Sequence, residues 1–257
     1  MKSSAPDRVP HRALAGFHAV GARLRAEPES IETLYFDAAR RDARMQRLLA
    51  QAKERAVRCM AADPARLQGL SPDVPHQGVV ALVRATRRTG PSFEELLDRA
   101  GPATFLLLLD GVTDPRNLGA CMRSAAAAGV DAVIAPRDRS ATLDAPAAKA
   151  AAGAAEVLPL VTVTNLARAM RDLRDAGVRI VGADAEGPRS LYECDLTGPL
   201  AWALGAEGTG LRRLTRENCD ELLRIPMAEG VESLNVSVAA GVCLFESRRQ
   251  RGLPGFP

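Results

Sequence analysis

The sequence predicts an α/β protein in two parts, a small α/β segment followed by a larger one built on a mostly parallel sheet. Three observations carry this. From Thr104 onward, short apolar runs alternate with helix-patterned stretches, the pattern of strands joined by crossover helices. One of those runs, residues 105–109, is apolar at every position, as a strand covered on both faces must be. The front part differs in charge: residues 1–100 hold 17 Lys/Arg against 12 Asp/Glu, whereas residues 101–257 hold 17 against 19.

The elements follow in order. Residues 31–36 alternate and are β-rich, so they are expected to form a strand. Residues 41–56 place Met45, Leu48, Leu49 and Ala52 at helical spacing with arginines on the other face. Residues 57–60 and 79–83 supply further strands, and residues 12–85 together form a small sandwich. A boundary is expected over 86–102, where 86–91 has linker composition, 93–99 makes one short helix and Gly101-Pro102 breaks it. The larger part is expected to span 103–251. After the 105–109 strand comes a helix over 117–128, with Asn117 as its N-cap and Gly129 as its stop. A strand over 130–135 follows, then an Ala-rich helix over 145–155 and a helix over 165–176 stopped at Gly177. Strands over 178–182, 200–204 and 222–225 and a helix over 235–249 complete it.

A chain of 257 residues, 47% hydrophobic and 25% charged, is an ordinary globular protein with room for one large or two modest cores. No apolar run approaches a membrane-spanning length. Residues 1–11 lack the apolar core of a secretory leader and are expected to form a disordered arm, with 252–257 as a tail and a cytoplasmic setting. None of the five cysteines falls as C-x-x-C, and no His lies in metal spacing, so neither a metal site nor a disulfide framework is expected. Cys121 and Cys243 are expected to act as small buried hydrophobes. The basic residues of the front part are nearly all arginine, which suits bidentate phosphate contact and RNA capture; a solvated charged surface would give the same composition.

Three blocks carry chemistry. The first, Asp114-Pro115-Arg116-Asn117-Leu118-Gly119-Ala120-Cys121-Met122-Arg123-Ser124-Ala125, follows a strand and opens a helix. Leu118, Met122 and Ala125 form its buried stripe, and Arg123 sits one step off it, at a rim where an arginine often simply reaches solvent. The second, Gly205-Ala206-Glu207-Gly208-Thr209-Gly210-Leu211, is a glycine-rich turn that lets a ligand approach the backbone, or an ordinary tight turn. It is not the G-x-G-x-x-G fingerprint, and no acidic residue is evident at the end of a second strand to hold a ribose, which argues against a nucleotide-dependent oxidoreductase. The third runs from Ile225-Pro226-Met227 through Ser233-Leu234-Asn235 to Ala239-Ala240-Gly241. Ser233 or Asn235 can cap the last helix. Gly241 inside that helix costs about 1 kcal/mol relative to Ala, which suits a close helix–helix or subunit contact.

The wording and order of these blocks resemble the signature motifs of the SpoU/TrmH family of RNA ribose 2′-O-methyltransferases. The likeness extends from Gly16 onward and includes Phe17-His18-Ala19-Val20, His76-Gln77-Gly78-Val79, Asp110-Gly111-Val112-Thr113, the stretch 136–141 and the stretch 212–217. It implies a C-terminal trefoil-knotted (SPOUT) methyltransferase domain with a mostly parallel sheet. A small L30e-like RNA substrate-binding domain precedes it, and the enzyme is a homodimer through the knotted domain. It further implies S-adenosyl-L-methionine as cofactor, held by backbone groups at Gly205, Ile225 and Leu234. Arg123 falls at the position of the family's arginine for the ribose hydroxyl, and Asn117, Glu207, Ser233 and Asn235 fall at the other functional positions. The branch most similar methylates a guanosine in the peptidyl-transferase P loop of 23S rRNA, making that RNA or its precursor the expected partner. A tRNA or other rRNA target, and a non-catalytic RNA-binding assembly factor, are the alternatives.

Overall fold

The computed structural model describes residues 11–72, 74–84, 91–231 and 233–252; the arm over 1–10, part of the linker over 85–90 and the tail over 253–257 lie outside them. The chain divides into two compact units, residues 1–89 and 90–257.

The first unit contains β1 (His11–Ala15), α1 (Phe17–Ala26), β2 (Ile31–Asp37), α2 (Ala43–Glu54), β3 (Cys59–Ala62), α3 (Pro64–Leu70) and β4 (Val79–Arg84). Its sheet runs β1-β4-β2-β3, with only β2–β3 parallel. α2 is amphipathic as expected: Met45, Leu48 and Ala52 are buried, and the Asp42 side chain caps the helix by accepting from the Arg44 and Met45 N–H groups. His11, expected in the arm, instead begins β1 and pairs with Arg84. The strand expected at 57–60 starts at Cys59. α1 carries little amphipathic signal because Val20, Gly21, Ala22, Arg23 and Leu24 are all buried, leaving only His18 and Arg25 exposed among its described side chains.

The second unit begins with α4 (Phe93–Asp98), closed at its start by a capping box between Ser92 and Glu95. Phe93, Leu96, Leu97 and Ala100 pack on the unit's core, so this half of the expected linker is structural. There follow β5 (Phe105–Asp110), α5 (Pro115–Ala128), β6 (Ala132–Pro136), α6 (Ala145–Ala151), β7 (Leu160–Val163), α7 (Leu166–Asp175), β8 (Arg179–Ala183) and β9 (Arg189–Ser190). β10 (Leu200–Gly205), α8 (Arg213–Glu217), β11 (Glu221–Arg224) and α9 (Val236–Gln250) complete it. The seven strands run β7-β6-β5-β10-β8-β11-β9 and every neighbouring pair is parallel.

The central strands show why their sequences are apolar throughout. Phe105, Leu107, Leu109, Leu200, Trp202 and Leu204 face one core with α5, α6 and α9. Leu106, Leu108, Ala201 and Ala203 face the other, with α4 and α7. Trp202 is fully buried, and its Nε1–H donates to Ser247 Oγ on α9 at 2.8 Å, so the indole carries no unmet donor into the core. α5 and α6 pack backbone to backbone: a Cβ at Gly119 would lie 2.2 Å from the Ala147 carbonyl oxygen. Gly241 is different, since a Cβ there would meet only Ser124 Oγ at 3.9 Å. The contact of α9 with α5 therefore does not explain that glycine.

Candidate active site

Because β10 lies between β5 and β8, the chain leaves β5 outward through β6 and β7 and returns on the other side. In open parallel sheets such a reversal leaves a crevice at the carboxyl ends of the strands. Here that edge holds a cavity of about 470 Å³, lined by Ala183 at the end of β8 and Asp184 after it, by residues 204–211 at the end of β10, and by Ile225, Met227, Ser233, Leu234, Val236 and Ala239. Its wall at β10 is made of backbone. A Cβ on Gly205 would stand 1.9 Å from Gly210 C and 2.2 Å from Leu211 N, so only glycine lets the loop fold back on its own strand. The loop is fastened by a residue outside the three blocks. Asp110, 1% exposed at the end of β5, accepts from the Arg212 N–H at 2.9 Å and from Arg212 Nε at 2.5 Å.

Of the predicted site residues, Gly205, Glu207, Ile225, Ser233 and Leu234 line the cavity. Asn235 is the N-cap of α9: its Oδ1 accepts from the Ser237 N–H at 3.0 Å and from Ser237 Oγ at 2.6 Å. Its Nδ2 is left to donate to Asn117 Oδ1 at 3.0 Å and to Glu207 Oε2 at 3.1 Å. One side chain thus ends a helix and joins all three motifs. Asn117 is not the N-cap of α5. Asp114 holds that position, accepting from the Arg116 N–H at 2.8 Å, with Pro115 in the first turn where its missing N–H is no loss. With the cap supplied upstream, the Asn117 side chain is free for Asn235. Arg123 stands exposed further along α5, outside the cavity lining and with no hydrogen bond or ion pair to another described residue.

An acidic pair that the motif reading missed also faces the cavity. Asp184 directly follows β8, and its carboxylate meets Arg216 Nη1 at 2.8 Å and accepts from the Glu186 N–H at 2.9 Å. Glu186 reaches Arg216 Nη2 at 3.6 Å. With Glu207, three carboxylates face the cavity against one guanidinium, which favours a cationic ligand. The available signal was the acidic residue closing the 178–182 strand run. The buried thiols offer no nucleophile: desolvation pushes Cys121 and Cys243 up to about 12, leaving a negligible thiolate fraction at neutral pH. Among the described residues no three His, Cys, Asp or Glu side chains stand together as a metal site, and no helix is long and apolar enough to cross a membrane.

A parallel α/β unit with a cavity at the carboxyl edge of its strands defines the class, a protein that binds a small ligand there. Comparison with known proteins is specific. Residues 104–245 match the SpoU rRNA Methylase family, and residues 13–89 match the RNA 2′-O ribose methyltransferase substrate binding family. A protein of Ralstonia nicotianae named 23S rRNA (guanosine-2′-O-)-methyltransferase RlmB is 55% identical over 240 residues, 93% of this chain and 96% of its own length. Among solved structures, an RNA 2′-O ribose methyltransferase superposes with a TM-score of 0.77 at 27% identity, covering 95% of this chain and 90% of the other. The SpoU methyltransferase AviRb of Streptomyces viridochromogenes, solved in complex with the cofactor AdoMet, gives a TM-score of 0.71 at 27% identity, covering 93% and 90%. The chain belongs to the SpoU rRNA methylase family.

Proposed function

We propose that the chain methylates the ribose 2′-hydroxyl of a guanosine in 23S rRNA, in the peptidyl-transferase P loop, with S-adenosyl-L-methionine as methyl donor. The observation that carries this reading is the Asn235 side chain bonding both Asn117 and Glu207 at the cavity, so that three distant motifs form one polar site beside a ligand-sized space. The guanosine and the RNA are those named for the 55% identical relative; the P loop is the expectation of the most similar family branch.

The cavity fits the cofactor. Its volume falls within the usual range for small-ligand sites, roughly 300–1,000 Å³. Leu204, Leu211, Ile225 and Val236 offer apolar contact, and Asp184, Glu186 and Glu207 offer negative charge. Gly205, Ile225 and Leu234 are the proposed backbone holders. S-adenosyl-L-methionine, when bound, supplies a methyl group already activated by a positively charged sulfur. What remains for the protein is to orient the acceptor ribose and manage one proton. Asn117, Glu207, Ser233 and Asn235 are assigned to that orientation. Arg123 is assigned to the RNA: a guanidinium keeps its proton in nearly any setting, so it serves as a fork on the target phosphate and stabilises negative charge developing on the ribose oxygen. Its exposure leaves the fork free for that task. The hydroxyl proton then passes to a phosphate oxygen or to water.

The family's trefoil knot and L30e-like N-terminal domain are part of the proposal. The reach of Asn235 to Glu207 supports threading of the last segment beside the 205–211 loop. So is a homodimer through the C-terminal unit, for which Val238 and Phe245 on α9, 51% and 38% exposed, offer apolar surface. The test is to map ribose methylation in rRNA from cells lacking the protein. Loss of the methyl group at the P-loop guanosine is expected; an unchanged P-loop guanosine sinks that target. For the arginine, Arg123→Lys should lower turnover about tenfold or more, since it keeps the charge and loses the fork. Nearly full turnover would sink the bidentate role.

A further inference from the structure

We propose a phosphate-gripping site on the N-terminal unit, formed by Arg44 and Arg40 mounted on the Phe17 ring, which docks the RNA backbone. The inference rests on the RNA-methyltransferase reading above. Phe17 opens α1 and is 6% exposed, and its ring is covered by two guanidiniums, Arg40 at 4.7 Å and Arg44 at 4.6 Å from the centroid. Two cations on one ring repel each other, so the arrangement needs compensation. Arg40 has it: the guanidinium pairs with Asp42 and donates to the Gln77 carbonyl at 2.5 Å. Arg44 does not. Its Nη2 meets His18 Nε2 at 3.0 Å; arginine only donates, so His18 is the acceptor, and no carboxylate takes part in that contact. The cap oxygen of Asp42 is committed to the Arg44 and Met45 N–H groups.

The surroundings are shaped around this pair. Gln77, a non-glycine residue, is held at φ 52°, and strained backbone of that kind persists where its neighbours over-determine it. Next to it, Gly78 donates its N–H to His76 Nδ1 at 3.0 Å, and a Cβ at Gly78 would press on Arg40 Cδ at 3.3 Å. Three separate sequence blocks, 17–18, 40–44 and 76–78, therefore converge on two guanidiniums. Arg41, just before α2, and Arg47 on it also stand exposed, and Asp42 is the carboxylate that pairs with Arg40. A cation fixed over an aromatic face loses little freedom when it binds, and the guanidinium fork matches phosphate oxygens. Because Phe17 is covered, no aromatic face is left for a base. The site grips phosphate, positioning the RNA without reading its sequence.

The test is binding of a transcript of 23S rRNA containing the P loop to the full chain, followed by fluorescence anisotropy across a salt series. Arg44→Ala should weaken binding about tenfold and reduce the slope of log affinity against log salt by about 1. Arg44→Lys should keep the slope and lose severalfold in affinity, and Gln46→Ala on the same helix should change neither. S-adenosyl-L-methionine binding to each variant, measured by calorimetry, should be unchanged. If the wild type binds and methylates the transcript while Arg44→Ala and Arg40→Ala match it in affinity and slope, the site is overturned and the methyltransferase reading stands. If the wild type neither binds nor methylates it, both fall together. Should Arg44→Ala fail to fold, Arg44→Lys decides: affinity equal to the wild type overturns the fork.

Discussion

The two units present their ligand-facing surfaces in opposite ways. In the C-terminal unit the cavity wall at β10 is backbone: Gly205 admits no Cβ, and the 205–211 loop is pinned by the buried Asp110 to Arg212. In the N-terminal unit the surface is side chain, two arginines laid over Phe17, of which Arg40 is tied to Asp42. A backbone wall fails sterically, when atoms are added. A charged surface fails electrostatically, when charge is removed, while the fold beneath survives.

The sharpest way to break this contrast is Gly205→Val. The added atoms collide with the Gly210 and Leu211 backbone, so S-adenosyl-L-methionine affinity should fall about 100-fold, or ~2.7 kcal/mol, by calorimetry. Native affinity in that variant would refute a backbone-built wall. Next comes Arg212→Ala. Removing one partner of a buried ion pair costs about 3–5 kcal/mol, but the Arg212 side chain is 44% exposed, so about 2 kcal/mol is expected after solvent screening. Denaturant titration reads the loss, and a change under 0.5 kcal/mol would show that the loop does not depend on the pair.

Smaller still, Asn235→Ala should cost about 1 kcal/mol of stability through the lost cap, and Asn235→Ser should restore it. Neither variant replaces the Nδ2 donor to Asn117 and Glu207, so turnover should stay low in both; recovery with serine would reduce Asn235 to a cap. The smallest effect belongs to the N-terminal unit. The Arg40 guanidinium beside Asp42 holds that carboxyl below its usual range. A carboxyl lowered in the folded state adds stability that is present above the unfolded pKa, about 3.9, and lost as pH falls through the folded value. The acid arm of unfolding should therefore shift slightly upward in pH in Asp42→Asn, which keeps the cap and loses the pair. An unchanged acid transition would remove Asp42 as a partner of Arg40.

Legibility in the sequence followed the same division. Residues 105–109 and 200–204 were evident as strands because both faces are buried and every position is apolar. Gly129 and Gly177 marked helix ends, at φ 83° and 82°, because few other residues adopt that conformation cheaply. α1 escaped because a helix buried nearly all round has no amphipathic period. α3 escaped although its signal was present: Asp63 caps it and Pro64 occupies the first turn. The cap of α5 was misassigned because Asp114 and Asn117 are both good capping residues, and local preference does not choose between them. Asp184 was overlooked because an acidic residue after a strand is ordinary until the strand order brings its end to the cavity.

By itself, the sequence determined the periodic elements, the charge contrast between the two parts and the three motif blocks. These depend on burial and backbone preference within about ten residues, so they are written locally. The tertiary structure alone decided that Asn235 meets Asn117 across 118 positions, that Asp110 fastens a loop 102 positions away, and that Phe17 carries two arginines from another helix end. Contacts of that kind depend on the spatial order of strands and on which helix starts share a corner. Both are settled by the free energy of the whole packed core rather than by any one segment of it.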